Sequence, residues 1–210
     1  MNDRHHLVLK DVQLALDGAS LLTLDAEVGP GEILSVMGPS GSGKSTLLAF
    51  VAGFLAPAFT ASGRVLLDGR DITGLPAERR GIGLLFQDPL LFPHLSVAGN
   101  LRFGLPRAAR DRAARVEAAL DAVGLAGFGE RDPTTLSGGQ QSRVALMRLL
   151  LSAPRAVLLD EPFSKLDTAL RQEMRQLVFG RLREAGLPSL LVTHDHADAE
   201  AAGGRILTLA

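Results

Sequence analysis

Cysteine, tryptophan and tyrosine are all missing from this 210-residue sequence, so nine phenylalanines supply all of its large apolar aromatic side chains. Without cysteine there is neither a disulfide framework nor a thiolate metal site, a composition compatible with a reducing compartment. Lysine is scarce: Lys10, Lys44 and Lys165 are three of 22 basic residues, and the rest are arginine. Charge of one sign is lacking too. A net charge of −1 leaves no general electrostatic pull toward nucleic acid or an anionic membrane surface. Residues 45–63 carry no formal charge, but Gly53, Pro57 and several hydroxyls interrupt them, short of the ~20 apolar residues a spanning helix needs. A buried helix followed by a loop is expected there. Residues 1–6 are polar, carry no secretory-signal pattern and read as a loose terminus with His5 and His6. Any membrane role is therefore expected to come through partners.

What is present reads as one globular α/β domain, 46% hydrophobic and 21% charged. Leu22, Leu24, Ala26 and Val28 alternate with Thr23, Asp25 and Glu27, the period of a half-buried strand. Residues 63–69 predict another strand ending in a glycine turn. Three short apolar runs, at 33–37, 156–159 and 189–192, predict buried parallel strands. Residues 106–124 predict a helix with Ala113, Val116, Leu120 and Val123 on one face. A second should run from about Gly139 to Ser152, stopped by Pro154.

Gly38-Pro39-Ser40-Gly41-Ser42-Gly43-Lys44-Ser45 matches the pattern of a phosphate-binding loop, between a buried strand and an apolar helix. Glycines let successive backbone N–H groups turn inward around phosphate oxygens, and the helix adds its positive dipole end. Lys44 would reach the β- and γ-phosphates, and the Ser45 hydroxyl would coordinate Mg²⁺. The competing reading is a Gly/Ser-rich turn that holds a lysine by chance. A lysine at the one position that requires it, in a chain so poor in lysine, argues against that.

The run 156–159 delivers Asp160 and Glu161 at its end. Asp160 would hold Mg²⁺ and Glu161 would polarise an attacking water. Adjacent acids after a strand are often just a solvated turn, but beside a phosphate loop the functional reading is the stronger. Val192-Thr193-His194 repeats the layout, and a neutral imidazole there can hydrogen-bond a γ-phosphate and the incoming water. In isolation His194 would more often be a loop histidine. His196, further from the strand end, is assigned no role.

Leu136-Ser137-Gly138-Gly139-Gln140, opening a helix, closely resembles the signature motif of ATP-binding-cassette (ABC) ATPases. The phosphate loop, Gln87, Asp160-Glu161, Ser164-Lys165-Leu166-Asp167 and His194 follow that family's order and similar spacing along nearly the whole chain. The resemblance implies a P-loop NTPase core with an antiparallel β-subdomain and an inserted helical subdomain at roughly 88–150, all in a single domain over residues 1–210. It implies ATP and Mg²⁺ as cofactors. Residues 38–46, from Gly38, Pro39, Ser40, Gly41, Ser42 and Gly43 to Lys44, Ser45 and Thr46, would contact phosphates and metal. Ser137, Gly139 and Gln140 would clamp, in trans, the nucleotide of a partner subunit in a head-to-tail dimer. Gln87 would touch Mg²⁺ or the lytic water, Asp160 the metal, Glu161 would be the general base, His194 the switch histidine, and Asp167 would lie at the dimer interface.

Residues 79–101 look like the equivalent stretch in bacterial importer subunits for iron, sulfate, polyamines, sugars or thiamine. That implies transmembrane permease subunits and an external binding protein as partners, no nucleic acid, and a peripheral place on the cytoplasmic side of the inner membrane. Residues 89–95 are too apolar for a plain surface loop and are expected to offer a groove to a permease helix. The chain stops soon after His194, without the C-terminal regulatory β-domain most such subunits carry. The alternatives are a soluble ABC ATPase of the DNA-repair or translation type and a small-molecule kinase. The first usually needs long insertions or two cassettes, and the second has no use for residues 136–140.

Three departures stand out. Lys165 replaces a usual small residue, which bears on the dimer contact. Gln141-Ser142-Arg143 differs mildly from the usual continuation. The family also stacks an aromatic on adenine from a strand turn near Leu16, yet no aromatic precedes Phe50. Leu16 in that place predicts a weak hold on the base and poor discrimination between ATP and GTP.

Overall fold

A computed structural model describes residues 5–209. The chain forms two compact units, one made of Leu85–Pro154 with Pro162–Met174, the other of the remaining described residues.

The larger unit carries both sheets. Strands β1 (Leu7–Leu16), β2 (Ala19–Val28), β4 (Phe59–Leu67) and β5 (Arg70–Asp71) form an antiparallel sheet in the order β2-β1-β4-β5. β2 shows the expected period of two: Leu22, Leu24, Ala26 and Val28 are buried while Thr23, Asp25 and Glu27 face out. β1 bulges at Asp11, whose φ is 51 and whose backbone N–H donates to the Asp25 carboxylate at 2.8 Å.

The second sheet runs β6 (Ile82–Leu85), β7 (Ala156–Asp160), β8 (Ser189–Thr193), β3 (Ile33–Met37), β9 (Ile206–Thr208). β7, β8, β3 and β9 are mutually parallel. β3 and β8 are buried throughout, as continuous apolar strands covered on both faces must be. Helix α1 (Lys44–Ala52) follows β3, and its Leu47, Leu48 and Val51 join the core shared by both sheets. α1 ends on a buried arginine. Arg80 donates to the carbonyls of Phe50 (2.8 Å) and Val51 (2.9 Å) at the helix C-terminus, and to those of Leu75 (2.8 Å) and Thr73. A cation there satisfies the last orphan carbonyls and opposes the negative dipole end. α6 (His196–Ala202) follows β8.

The smaller unit is helical: α2 (Val97–Gly104), α3 (Arg112–Asp121), α4 (Gly138–Leu151) and the first turns of α5 (Thr168–Glu184). α2 and α3 both pack on α4.

Several expectations need correction. The strand expected at 63–69 starts at Phe59, so residues 59–62 are strand rather than loop. α3 begins six residues after Pro106, because Arg112 turns back to hydrogen-bond the Pro106 and Arg102 carbonyls (both 2.7 Å) and Asp111 has a φ of 51. Ala113 is exposed, and Val123 is buried beyond the helix end. His5 and His6 are tied down: the His5 ring lies 2.8 Å from the Asp68 carboxylate, and the His6 N–H donates to it at 2.8 Å. Arg155 pairs with the same carboxylate. The rest of that terminal stretch lies outside the described residues.

Candidate nucleotide-binding site

The phosphate loop joins β3 to α1. Gly43 sits at the helix N-cap with φ 87, and a Cβ there would meet the Leu22 side chain at 3.1 Å, so both backbone and space call for glycine. Lys44 is buried and donates to the carbonyls of Gly38 (2.8 Å) and Pro39 (2.7 Å), folding its ammonium back over its own loop. The Ser45 hydroxyl donates to Asp160 at the end of β7, 3.3 Å away. Burial pushes the Asp160 carboxyl up. The Ser45 hydrogen bond opposes this, the Glu161 charge adds to it, and the Lys44 charge counters it.

Glu161, the next residue, has φ 44, and its N–H donates to the Val192 carbonyl of β8 at 2.9 Å. Its carboxylate lies 3.0 Å from Nδ1 of His194. Behind His194 the chain is braced. Buried Thr193 donates to Asp198 at 3.0 Å, and Arg175 reaches both Asp198 and Asp195.

These elements face a cleft of about 410 Å³ lined by Ser40, Gly41, Gly43, Lys44, Ser45, Thr46 and Glu161, with Leu16, Leu21 and Phe59 as its apolar wall. Leu16 therefore lines the cleft, as does an aromatic that sequence reasoning missed. Phe59 opens β4 and is registered opposite Leu16. The signal available was an isolated phenylalanine before Thr60 in a run of small residues, but its position required the pairing of β4 with β1.

Gln87, Ser137, Gly139 and Gln140 belong to the helical unit. Ser137 caps α4 through a reciprocal pair: its Oγ accepts the Gln140 N–H (3.3 Å) and its own N–H donates to the Gln140 side chain (3.0 Å). Gly139 is buried, and a Cβ there would meet the Leu170 side chain at 2.6 Å. Asp167 accepts the Leu170 N–H (3.0 Å) near the start of α5. Lys165 pairs with Asp88, next to Gln87, giving that unusual residue an intramolecular partner. Leu90, Phe86 and Phe103 are exposed. Residues 89–95 are pinned from beneath by Asn100 and Arg148, which hydrogen-bond the Phe92 N–H (2.8 Å) and the Pro89 (3.0 Å) and Leu90 (2.9 Å) carbonyls.

A strand–glycine loop–helix cradle with a buried lysine, beside a second buried strand that ends in two acids, defines a P-loop nucleotide-hydrolysing protein. The family described as ABC transporter matches residues 21–164. The chain is 48% identical over 198 residues to the uncharacterised ABC transporter ATP-binding protein YnjD of Escherichia coli K12, covering 93% of this chain and 91% of that one. It is 49% identical over 204 residues to the thiamine import ATP-binding protein ThiQ of Cereibacter sphaeroides (95% and 87%). To the Fe(3+) ions import ATP-binding protein FbpC of Mesorhizobium japonicum it is 47% identical over 186 residues, 86% of this chain but about half (51%) of that relative. This chain belongs to the ABC transporter family and is an ATP-binding, ATP-hydrolysing subunit.

Proposed function

We propose that this chain is the ATPase of an importer, working as a head-to-tail dimer on the cytoplasmic face of permease subunits that receive their cargo from an external binding protein. The single observation that carries the reading is the convergence of Lys44, Ser45, Asp160, Glu161 and His194 on one cleft or its rim, in a chain whose relatives carry import names.

Lys44 leaves its loop carbonyls for the β- and γ-phosphates, while backbone N–H groups of residues 40–46 hold the remaining oxygens. The donor pair of Ser45 and Asp160 suits Mg²⁺, a hard cation that takes oxygen ligands. When bound, Mg²⁺ neutralises charge on the phosphate oxygens. Glu161 accepts the proton of the attacking water, and His194 orients that carboxylate and can donate to the γ-phosphate. Ser137, exposed at the N-terminus of α4, and Gly139 in its first turn supply the second phosphate clamp from the partner subunit. Among the described residues no helix is long and apolar enough to cross a membrane, so attachment falls to a surface. The exposed Leu90 and Phe103 offer one.

Affinity capture from detergent-solubilised membranes tests this. Permease subunits should co-purify with the parent and be lost with Leu90→Asp, which retains ATP binding. Leu90 already has φ 45, which aspartate tolerates better than leucine, so the variant should fold. No membrane partner, together with specific nucleic-acid association, would refute the importer reading.

A further inference from the structure

The phosphate loop accounts for one side of the cleft only. The other is a wall of three half-buried apolar side chains, Leu16, Leu21 and Phe59. Leu16 ends β1, where the chain turns through Asp17 and Gly18 (φ 50 and 81) into β2. Phe59 opens β4 directly opposite Leu16 in the antiparallel register. Exposed apolar surface beside a phosphate cradle is unfavourable until something flat and apolar covers it, and a nucleoside triphosphate carries such a group at the far end from its γ-phosphate. Among the described residues, Phe59 is the one aromatic ring lining this cleft.

We infer that Phe59 supplies the stacking face for the base of the bound nucleotide, with Leu16 and Leu21 completing the platform. The inference rests on the reading that the cleft takes a nucleoside triphosphate. It replaces the expectation, drawn from Leu16 alone, of a weak hold on the base. It does not restore base reading: none of the three side chains carries a donor or acceptor, so nothing in this wall distinguishes adenine from guanine. Stacking on a π-face tolerates any base, so ATP and GTP are held comparably while bare tripolyphosphate loses the contribution of the wall.

The absence of tryptophan elsewhere makes the test direct. Phe59→Trp introduces a sole tryptophan, whose emission should be quenched by ATP and by GTP but not by tripolyphosphate. Calorimetric titration of Phe59→Ala should show ATP binding weakened roughly 5- to 150-fold with tripolyphosphate binding unchanged. Phe59→Leu, which keeps apolar contact but no ring, should fall between. Unchanged tripolyphosphate binding also demonstrates that each variant is folded. ATP affinity in Phe59→Ala equal to the parent's, or indifference of the Phe59→Trp emission to nucleotide, would overturn the role of Phe59 alone. A parent that binds neither ATP nor tripolyphosphate would overturn the nucleotide reading on which it rests.

Discussion

His194 Nδ1 sits 3.0 Å from the Glu161 carboxylate, and Glu161 itself holds a left-handed backbone, φ 44, pinned by its N–H to Val192 of β8, the strand that His194 follows. A conformation of that kind costs roughly 1–3 kcal/mol in a residue other than glycine. The core strands β7 and β8 hold it, which aims the carboxylate toward the cleft without relying on a mobile loop.

The chemical test follows from that pair. Glu161→Gln keeps the shape and the backbone but removes the base. ATP hydrolysis should fall by about 10²–10⁴-fold while ATP binding persists. Lys44→Ala should lose binding itself, because it deletes the buried ammonium that faces the loop. Steady-state hydrolysis and equilibrium titration separate the two. Parent-level turnover in Glu161→Gln would rule the base assignment out.

The action of Ser137 in trans is open to a mixing experiment. Ser137→Arg fills the exposed α4 N-terminus where a phosphate would approach, and Lys44→Ala disables the cradle. Each alone should be inactive. Mixed, they form dimers in which the intact cradle of one subunit meets the intact signature of the other, so measurable ATPase should return. If the signature served its own cradle, mixing would recover nothing.

Arg80 should prove a stability residue with no role in chemistry. Its guanidinium satisfies four carbonyls, two of them at the end of α1. Arg80→Ala should destabilise the fold by roughly 2–4 kcal/mol, because four hydrogen bonds are lost, two of them buried at the end of α1. Arg80→Lys should recover little, since one ammonium cannot span the set. The urea unfolding midpoint reads both.

Asp68 ties the N-terminal histidines and Arg155 together. Burial raises its carboxyl, but the His6 N–H, the His5 ring and Arg155 outweigh that and hold it below the ordinary aspartate value. A depressed folded-state pKa stabilises the fold above the unfolded value and is lost as pH falls through the folded one. Asp68→Asn should therefore lower the thermal midpoint at neutral pH. The gap to the parent should begin to narrow as pH falls below about 4, the ordinary aspartate value, and close only as pH falls through the lower folded-state value. A gap independent of pH would mean that the charge of Asp68 contributes nothing.

Much of this protein was legible without coordinates. The phosphate loop, the three buried strands and the helix that opens near Gly139 are local patterns, because glycine torsions, uninterrupted apolar runs and helix-start chemistry act within a few residues. The start of β4 was not legible. Phe59 lies among alanines, Pro57 and Thr60 with no period of its own, and it becomes strand because β1 pairs with it, 43 residues away in the chain from Leu16. The grip of Asp68 on His5, across 63 residues, and that of Arg80 on Phe50, across 30, are of the same kind.

Local stereochemistry thus determined the glycine loop between β3 and α1 and which acids follow the strands. The tertiary structure decided what completes the cleft. Strand pairing is set by long-range burial that no short window records, and that pairing set Phe59 opposite Leu16 and supplied the ring that the β1–β2 turn lacks.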